Sequence, residues 1–160
     1  MKQKFLILIL VFSFLKVFAC CSKDQEQRVA DSINSENTNN NETMNSKIRI
    51  KIGSKVFNAT LSNNATAAAF RAMLPMKINM TELNGNEKYF NLSNNLPVNA
   101  FNPSNIQNGD LMLYGSNTLV FFYKSFSTSY SYTNLGRIDN TTGLTEALGA
   151  GNVEITFELQ

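Results

Sequence analysis

The chain of 160 residues carries 14 lysines and arginines against 12 aspartates and glutamates, and it contains no histidine. These nearly balanced charges form no basic stripe, which argues against a nucleic-acid partner. Without histidine, the sequence predicts neither a histidine-based hydrolase triad nor a transition-metal site, and no cofactor is expected. Cys20 and Cys21 are the only cysteines, and adjacent cysteines are poor disulfide partners.

The N-terminal segment has the pattern of an export signal. Two lysines lie among the first four residues, and an apolar run covers residues 5–15. That run is shorter than the roughly 20 apolar residues that a membrane span needs. The segment Val17–Cys20 resembles a lipobox, where a bacterial signal peptidase cleaves before a cysteine that becomes lipidated. We therefore predict a signal peptide over residues 1–19 and a lipid on Cys20 that holds the protein at a membrane of the cell envelope. Cleavage of an ordinary secretory signal at the same place is the alternative.

The next segment, residues 20–46, is predicted to be a disordered tether. Asparagine, serine, threonine and glutamate make up almost all of residues 34–45, and such a composition buries too little apolar surface to fold. Its start, Ser22–Glu26, resembles the export tags of some surface-exposed lipoproteins. This pattern favours the outer membrane or the cell surface, and a plain solvated linker is the alternative.

A β-hairpin is predicted where the tether ends. Apolar residues alternate with polar ones on either side of Gly53 and Ser54, which supply a turn. This period of two is typical of half-buried strands. The apolar positions are Ile48, Ile50 and Ile52 in the first strand and Phe57, Ala59 and Leu61 in the second.

The stretch "ATAAAFRAML", residues 65–74, is predicted to be a helix. Asn63 or Asn64 can cap its start, and Pro75 prevents its continuation. Its apolar face consists of Ala67, Phe70 and Leu74.

More strands are predicted in the second half of the chain. Two of them are "DLMLYG" at residues 110–115 and "TLVFFYKSF" at residues 118–126. A last strand alternates at the C-terminus, with apolar residues Val153, Ile155, Phe157 and Leu159. Several short strands with turns between them are typical of a barrel or sandwich, so residues 47–160 are predicted to be one mostly-β domain.

The order of these motifs resembles the cyclophilins. The helix is similar to the cyclophilin pattern T-A-x-N-F-R-x-L, which it matches at Thr66, Ala67, Phe70 and Arg71. "GDLMLYGSNTLVFFY" is similar to a cyclophilin strand–loop–strand that ends in a double phenylalanine, and "LGRIDNTTGLTEAL" is similar to a later strand, turn and helix. Residues 47–160 resemble more closely a family of small bacterial cyclophilin-like domains, through "AFRAMLPM", "EKYFNL", "NGDLMLYG", "LVFFY", "YSYTNLGRI" and "ALGAGNVEITFEL". This resemblance implies a closed β-barrel with a helix at each end, and it implies no defined substrate.

The resemblance also implies where catalysis would take place, and the residues for it are absent. Cyclophilins use an arginine to lower the barrier of about 20 kcal/mol for rotation of a peptide bond, with histidine and tryptophan in the same pocket. This chain has neither histidine nor tryptophan, and no arginine lies between Ala72 and Gly136. Lys77 and Lys88 are the cations in the corresponding stretch, and a lysine lacks the fork geometry of arginine. We therefore predict no catalytic residues and no prolyl isomerase activity.

The register of the resemblance places three aromatic residues in the cyclophilin groove. Phe122 corresponds to the second phenylalanine of the double-Phe strand, Tyr114 lies near a small groove residue, and Tyr132 takes the place of the histidine. These rings would form a binding floor for a peptide or a planar ligand. Alternatively, they fill the groove as part of the core.

Together these features predict a lipid-anchored cyclophilin-like domain of the cell envelope that binds a peptide or small molecule without catalysis. One alternative is an envelope peptidyl-prolyl isomerase or folding helper with altered groove residues. The other is a subunit whose barrel only packs against a partner.

Overall fold

The computed structural model describes residues 46–160. Its strands are β1 (Lys47–Ile52), β2 (Lys55–Leu61), β3 (Met76–Leu83), β4 (Glu87–Asn91), β5 (Asn105–Ile106), β6 (Asp110–Tyr114), β7 (Thr118–Phe122), β8 (Phe126–Ser127), β9 (Thr133–Ile138) and β10 (Val153–Leu159), and its helices are α1 (Ala65–Arg71) and α2 (Leu144–Leu148). Eight strands form a closed antiparallel barrel in the order β1-β10-β3-β4-β7-β6-β9-β2, and β5 pairs with β8 in a separate ribbon. The predicted closed barrel with two short helices is confirmed. The predicted signal peptide, the lipidation of Cys20 and the tether up to residue 45 lie outside the described residues.

The hairpin of β1 and β2 follows from the alternation of its apolar residues. Ile52 pairs with Lys55 across the turn at Gly53 and Ser54. Gly53 has a φ angle of +57°, which glycine adopts without the steric cost of a side chain. The isoleucines of β1 are at most 2% exposed, whereas the charged residues between them face solvent. The predicted hairpin is confirmed.

Helix α1 is held by a side-chain cap and ends earlier than predicted. The side-chain oxygen of Asn64 accepts a hydrogen bond of 2.8 Å from a backbone N–H in the first turn, and its amide nitrogen donates to the carbonyl of Asn134 in β9 at 2.8 Å. This side chain therefore both starts the helix and attaches it to the barrel. The helix ends at Arg71 and not at Leu74. The N–H groups of Met73 and Leu74 donate to carbonyls three residues back, in tight turns, and the position before Pro75 is itself disfavoured in the α conformation.

Both helices contribute to the barrel core. Phe70 of α1 meets Phe157 of β10 edge to face, with ring centroids 5.7 Å apart, and both rings are fully buried. Leu144 and Leu148 of α2 belong to the same cluster. The interior is therefore filled by side chains from the strands and from both helices.

Strand β9 needs glycine at the position where it passes β2. Gly136 pairs with Leu61, and a Cβ atom added to Gly136 would lie 2.4 Å from the carbonyl oxygen of Thr60. No side chain fits in that distance, so the backbone approach that closes the barrel here depends on Gly136.

Strands β6 and β7 are covered on both faces. Their inward residues, including Leu113 and Phe121, belong to the barrel core. Their outward residues contribute to a second cluster, the outer cluster, which consists of Ile106, Met112, Val120, Phe122 and Tyr132. Ile106 and Phe126, from the β5–β8 ribbon, pack in this cluster. The strand predicted over residues 118–126 was too long, because β7 ends at Phe122 and the chain then turns to form the ribbon.

Candidate functional site: an aromatic groove on the outer face of the barrel

A groove of about 390 Å³ lies against β4, β7 and the end of β6. The segment that precedes β9 and the end of β3 with the turn after it also line the groove. Residues that line it include Glu87, Tyr89, Tyr114, Val120, Tyr130 and Tyr132. We call this the aromatic groove.

The strand register explains why these residues share one surface. Glu87 of β4 is opposite Phe122 of β7, and Tyr89 is opposite Val120. Successive side chains of a strand point to opposite faces, so Glu87 and Tyr89 share the outer face while Lys88 between them lies inside. Strand β6 lies next to β7 in the barrel, and Tyr114 at its end is opposite Thr118 of β7. Tyr114 therefore continues this row of outward side chains across the third strand.

The three predicted groove residues are brought together, with different exposures. Tyr114 is 46% exposed, Tyr132 is 6% exposed and Phe122 is fully buried. The ring centroid of Tyr132 lies 5.7 Å from that of Tyr114 and 5.5 Å from that of Phe122. Tyr132 is therefore the link between the exposed ring and the buried one.

Phe122 does not line the groove as predicted. Its ring is packed against Tyr132 and against Phe126 of the ribbon, 5.7 Å away. Phe122 therefore lies beneath the floor of the groove. The rings fill the groove near Phe122, and the groove stays open near Tyr114.

Sequence reasoning missed Glu87, Tyr89 and Tyr130 as lining residues. The signal for the first two was the alternation within "EKYFN", which puts Glu87 and Tyr89 on the same face of a strand. The signal for Tyr130 was its spacing of two from Tyr132 in "YSY". Neither pattern identifies the neighbouring strands, which only the barrel order supplies.

The carboxylate of Glu87 is the charged group of this surface. Its pKa is raised by burial and, further, by the negative charge of Glu82. The pKa of Tyr132 is raised mainly by burial and further by the charge of Glu87, which indicates that the two groups are close. Within residues 46–160, all the ion pairs involve other carboxylates, so Glu87 has no basic partner there.

The two lysines considered in place of a catalytic arginine both lie outside the groove. Lys77 is exposed on β3 and forms an ion pair of 2.8 Å with Glu154. Lys88 is fully buried; its Nζ donates to Glu82 and to two carbonyl oxygens of the 149–151 loop, at 2.9 and 2.6 Å. Neither ammonium group can act on a ligand in the aromatic groove.

Lys88 belongs to a polar network at the end of the barrel. The hydroxyl of Tyr123 donates to the carboxylate of Glu82 at 2.8 and 2.9 Å, and Nζ of Lys88 lies 5.1 Å from the Tyr123 ring centroid. Burial and the hydrogen bond with Glu82 raise the pKa of Tyr123 to about 12. Burial alone would raise the pKa of Glu82, but hydrogen bonds from Lys88, Tyr123 and the Gly85 N–H lower it on balance. We call Lys88, Glu82 and Tyr123 the Lys88 network.

A second cavity of about 520 Å³ borders the Lys88 network and is also lined by Lys124 and Thr145. Its carboxylate, Glu82, is already paired with Lys88 and hydrogen-bonded to Tyr123. A ligand there would have to compete with these internal partners. The aromatic groove, with its unpaired carboxylate, is the better candidate site.

Residues 46–160 offer neither a metal-binding cluster nor a membrane-spanning helix. That part of the chain contains no group of three or more histidine, cysteine, aspartate or glutamate side chains that could hold a metal ion. It also has no helix that is both long and apolar enough to cross a membrane.

Comparisons with known proteins agree with the barrel. The solution structure of a hypothetical protein from Archaeoglobus fulgidus is similar to this chain, with a TM-score of 0.50 and 19% sequence identity over 72% of this chain and 95% of that one. At this identity the likeness shows the fold alone. No curated protein matches the sequence. The model of the Cyclophilin-like family matches residues 50–158, which is nearly all of the barrel, and the chain therefore belongs to the Cyclophilin-like family.

Proposed function

We propose that this protein is a non-catalytic binding module that holds a peptide or small ligand in the aromatic groove. The observation that carries this proposal is an open groove of about 390 Å³ walled by tyrosines. Its volume falls within the range of small-molecule and peptide sites. Tyrosine offers a flat apolar face and a hydroxyl tip, which is the combination that recurs at binding surfaces.

The charge of the groove argues against prolyl isomerisation. That reaction needs a cationic donor at the proline nitrogen, and the charged side chain in the groove lining is the carboxylate of Glu87. The arginines of the described part lie on other elements, and two of them face acids: Arg137 is 3.4 Å from Asp110 and Arg49 is 3.8 Å from Glu158. The isomerase or folding-helper alternative therefore lacks its principal catalytic group.

The proposal includes the place where the module works. The lipobox-like segment before Cys20 and the polar segment after it support a barrel tethered to a membrane of the cell envelope. In that position the groove would meet ligands outside the cytoplasm. The lipid supplies the attachment, so the barrel itself needs no apolar surface for the membrane.

A thermal-shift screen of the purified full chain with peptides and small molecules tests the binding role, because a ligand that binds only the folded state raises the melting temperature. A true ligand should lose its effect with Tyr114→Ala, which removes an exposed ring. It should keep its effect with Val56→Ala, a matched control on β2, where Val56 is 56% exposed and lies outside the groove. If no compound shifts the melting temperature, the binding role is wrong and the partner-packing alternative gains support.

A further inference from the structure

The open part of the aromatic groove is bounded by tyrosine rings of different orientation. The centroid of Tyr114 lies 6.1 Å from that of Tyr130 and 5.7 Å from that of Tyr132, and the ring planes differ by 88° and 53°. Tyr89 of β4 lines the same groove. The rings therefore stand at an angle to one another around the groove and are not stacked in parallel. The face of an aromatic ring carries negative potential and attracts a cation placed within about 6 Å.

Glu87 adds a carboxyl group to these walls. Glu87 is the only aspartate or glutamate among the described residues that line the groove, and none of these residues is basic. The titratable groups that act on it or feel its charge are Glu82, Tyr123 and Tyr132, and all of these are acidic. Lys88, its neighbour in the chain, is buried on the other face of β4 and is bound to Glu82. A partly buried carboxylate without a partner is costly, and a cation from outside would remove that cost.

We propose that the aromatic groove binds the positively charged side chain of a lysine or arginine in an extended peptide. This inference rests on the proposed binding function and names its ligand. The ammonium or guanidinium group would pair with Glu87, and the methylene stem would lie against the rings of Tyr114 and Tyr132. The groove extends to the side chains of Asn84 and Asn91, whose amide groups can hydrogen-bond to the backbone of the same peptide.

Matched peptides test the charge preference. Four capped pentapeptides, identical except for a central lysine, arginine, norleucine or glutamate, are titrated into the isotopically labelled full chain and followed by NMR. Free n-butylamine, which carries the charge and stem of lysine without a peptide backbone, is a further probe. We expect the lysine and arginine peptides to bind at least about tenfold more tightly than the norleucine peptide, which corresponds to one desolvated ion pair or cation–π contact. The amine should bind more weakly than the lysine peptide.

Variants then locate the site. Glu87→Gln should weaken the lysine peptide about tenfold and leave the norleucine peptide unchanged. Glu146→Gln is the matched control, because it removes the same charge from an exposed position on α2. Tyr130→Ala removes a ring that is 61% exposed, so the protein should fold, and it should also weaken the lysine peptide.

The outcomes separate this inference from the proposed function. Equal binding of the lysine and norleucine peptides, or an unchanged affinity in Glu87→Gln, overturns the cation preference while leaving a binding module in place. Equal binding of n-butylamine and the lysine peptide overturns the peptide as the ligand. If no probe binds, the inference is wrong. The proposed function falls with it only if the broader thermal-shift screen also finds no ligand.

Discussion

Replacing Lys88 with methionine should destabilise the barrel strongly, although methionine keeps most of the volume of the lysine stem. The change removes an ammonium group that is fully buried and donates to Glu82 and to two backbone carbonyl oxygens. Removing one partner of a buried ion pair costs about 3–5 kcal/mol. Glu82 keeps its hydrogen bonds from Tyr123 and from the Gly85 N–H, and its side chain is 19% exposed. Water can therefore compensate in part, and we expect a loss of about 3 kcal/mol in the free energy of unfolding.

Urea unfolding at pH 7 measures this loss directly, and the melting temperature should fall by about 10 °C for a domain of this size. Lys77→Met is the matched control. Lys77 and its partner Glu154 are 62% and 64% exposed, and an exposed pair of this kind contributes less than about 1 kcal/mol. The double variant Lys88→Met, Glu82→Leu should recover part of the loss, since it leaves no charge behind in the network.

The pH dependence gives a second measurement. Because the folded-state pKa of Glu82 is lowered, its stabilising contribution is complete above the unfolded pKa and is lost as the pH falls through the folded value. The Lys88→Met variant should therefore lose less stability than the wild type between neutral pH and about pH 3. A loss below about 1 kcal/mol at pH 7, or equal losses in Lys88→Met and Lys77→Met, would refute the assignment of Lys88 as a buried, satisfied cation.

Four other predictions test the anchor, the domain, the activity and the groove. Cys20→Ser should release the protein from membranes or leave an uncleaved precursor, whereas mature wild-type protein with an unmodified N-terminus in the soluble fraction would contradict lipidation. Residues 47–160 should fold without the tether, and Phe70→Ala should cost them about 3–5 kcal/mol, as expected for a buried phenylalanine; a cost below about 1 kcal/mol would contradict its core position. The purified protein should not accelerate cis–trans exchange of an X–Pro peptide, and a rate that rises with protein concentration and is abolished by Tyr114→Ala would show the reverse. Glu87→Gln should raise the melting temperature at pH 7 and leave it unchanged near pH 3.5. The folded-state pKa of Glu87 is raised, so its contribution to stability is present at low pH and is lost as the carboxyl group ionises. If the variant and the wild type have the same melting temperature at pH 7 as well as at pH 3.5, this prediction is wrong.

The sequence predicted best those elements that have one buried face. The alternating residues of β1, β2 and β10 distinguish inside from outside without further information, and the cap at Asn64 and the stop before Pro75 bound the region of α1. Strands β6 and β7 are different, because Leu111 to Leu113 and Leu119 to Phe122 are apolar on both faces. Periodicity alone could not tell that Phe121 lies in the barrel core and Phe122 in the outer cluster.

The groove was predicted in part for a related reason. Tyr114 and Tyr132 were singled out because the resemblance to cyclophilins places them near or in its groove. Glu87 lies on β4, which is beside β7 only because the barrel closes in that order. A single sequence does not contain this neighbour relation. The burial of Phe122 was also beyond reach, since it depends on the ribbon that brings Ile106 and Phe126 over the strand.

Glu87 and Lys88 are consecutive residues of β4 and point to opposite faces of the strand, so contacts inside the barrel also restrain the residue on its surface. Lys88 is fixed to the strand end at Glu82 and to the loop after α2, so the backbone that carries Glu87 has little freedom to move. The strand that carries the groove carboxylate is therefore held in place by the buried neighbour of Glu87, and a ligand that pairs with Glu87 loses little conformational entropy of the strand on binding. Tyr130, in the segment before β9, is 61% exposed and is the most exposed of the tyrosines that line the groove. We expect such a site to accept ligands that vary in shape around one positively charged group.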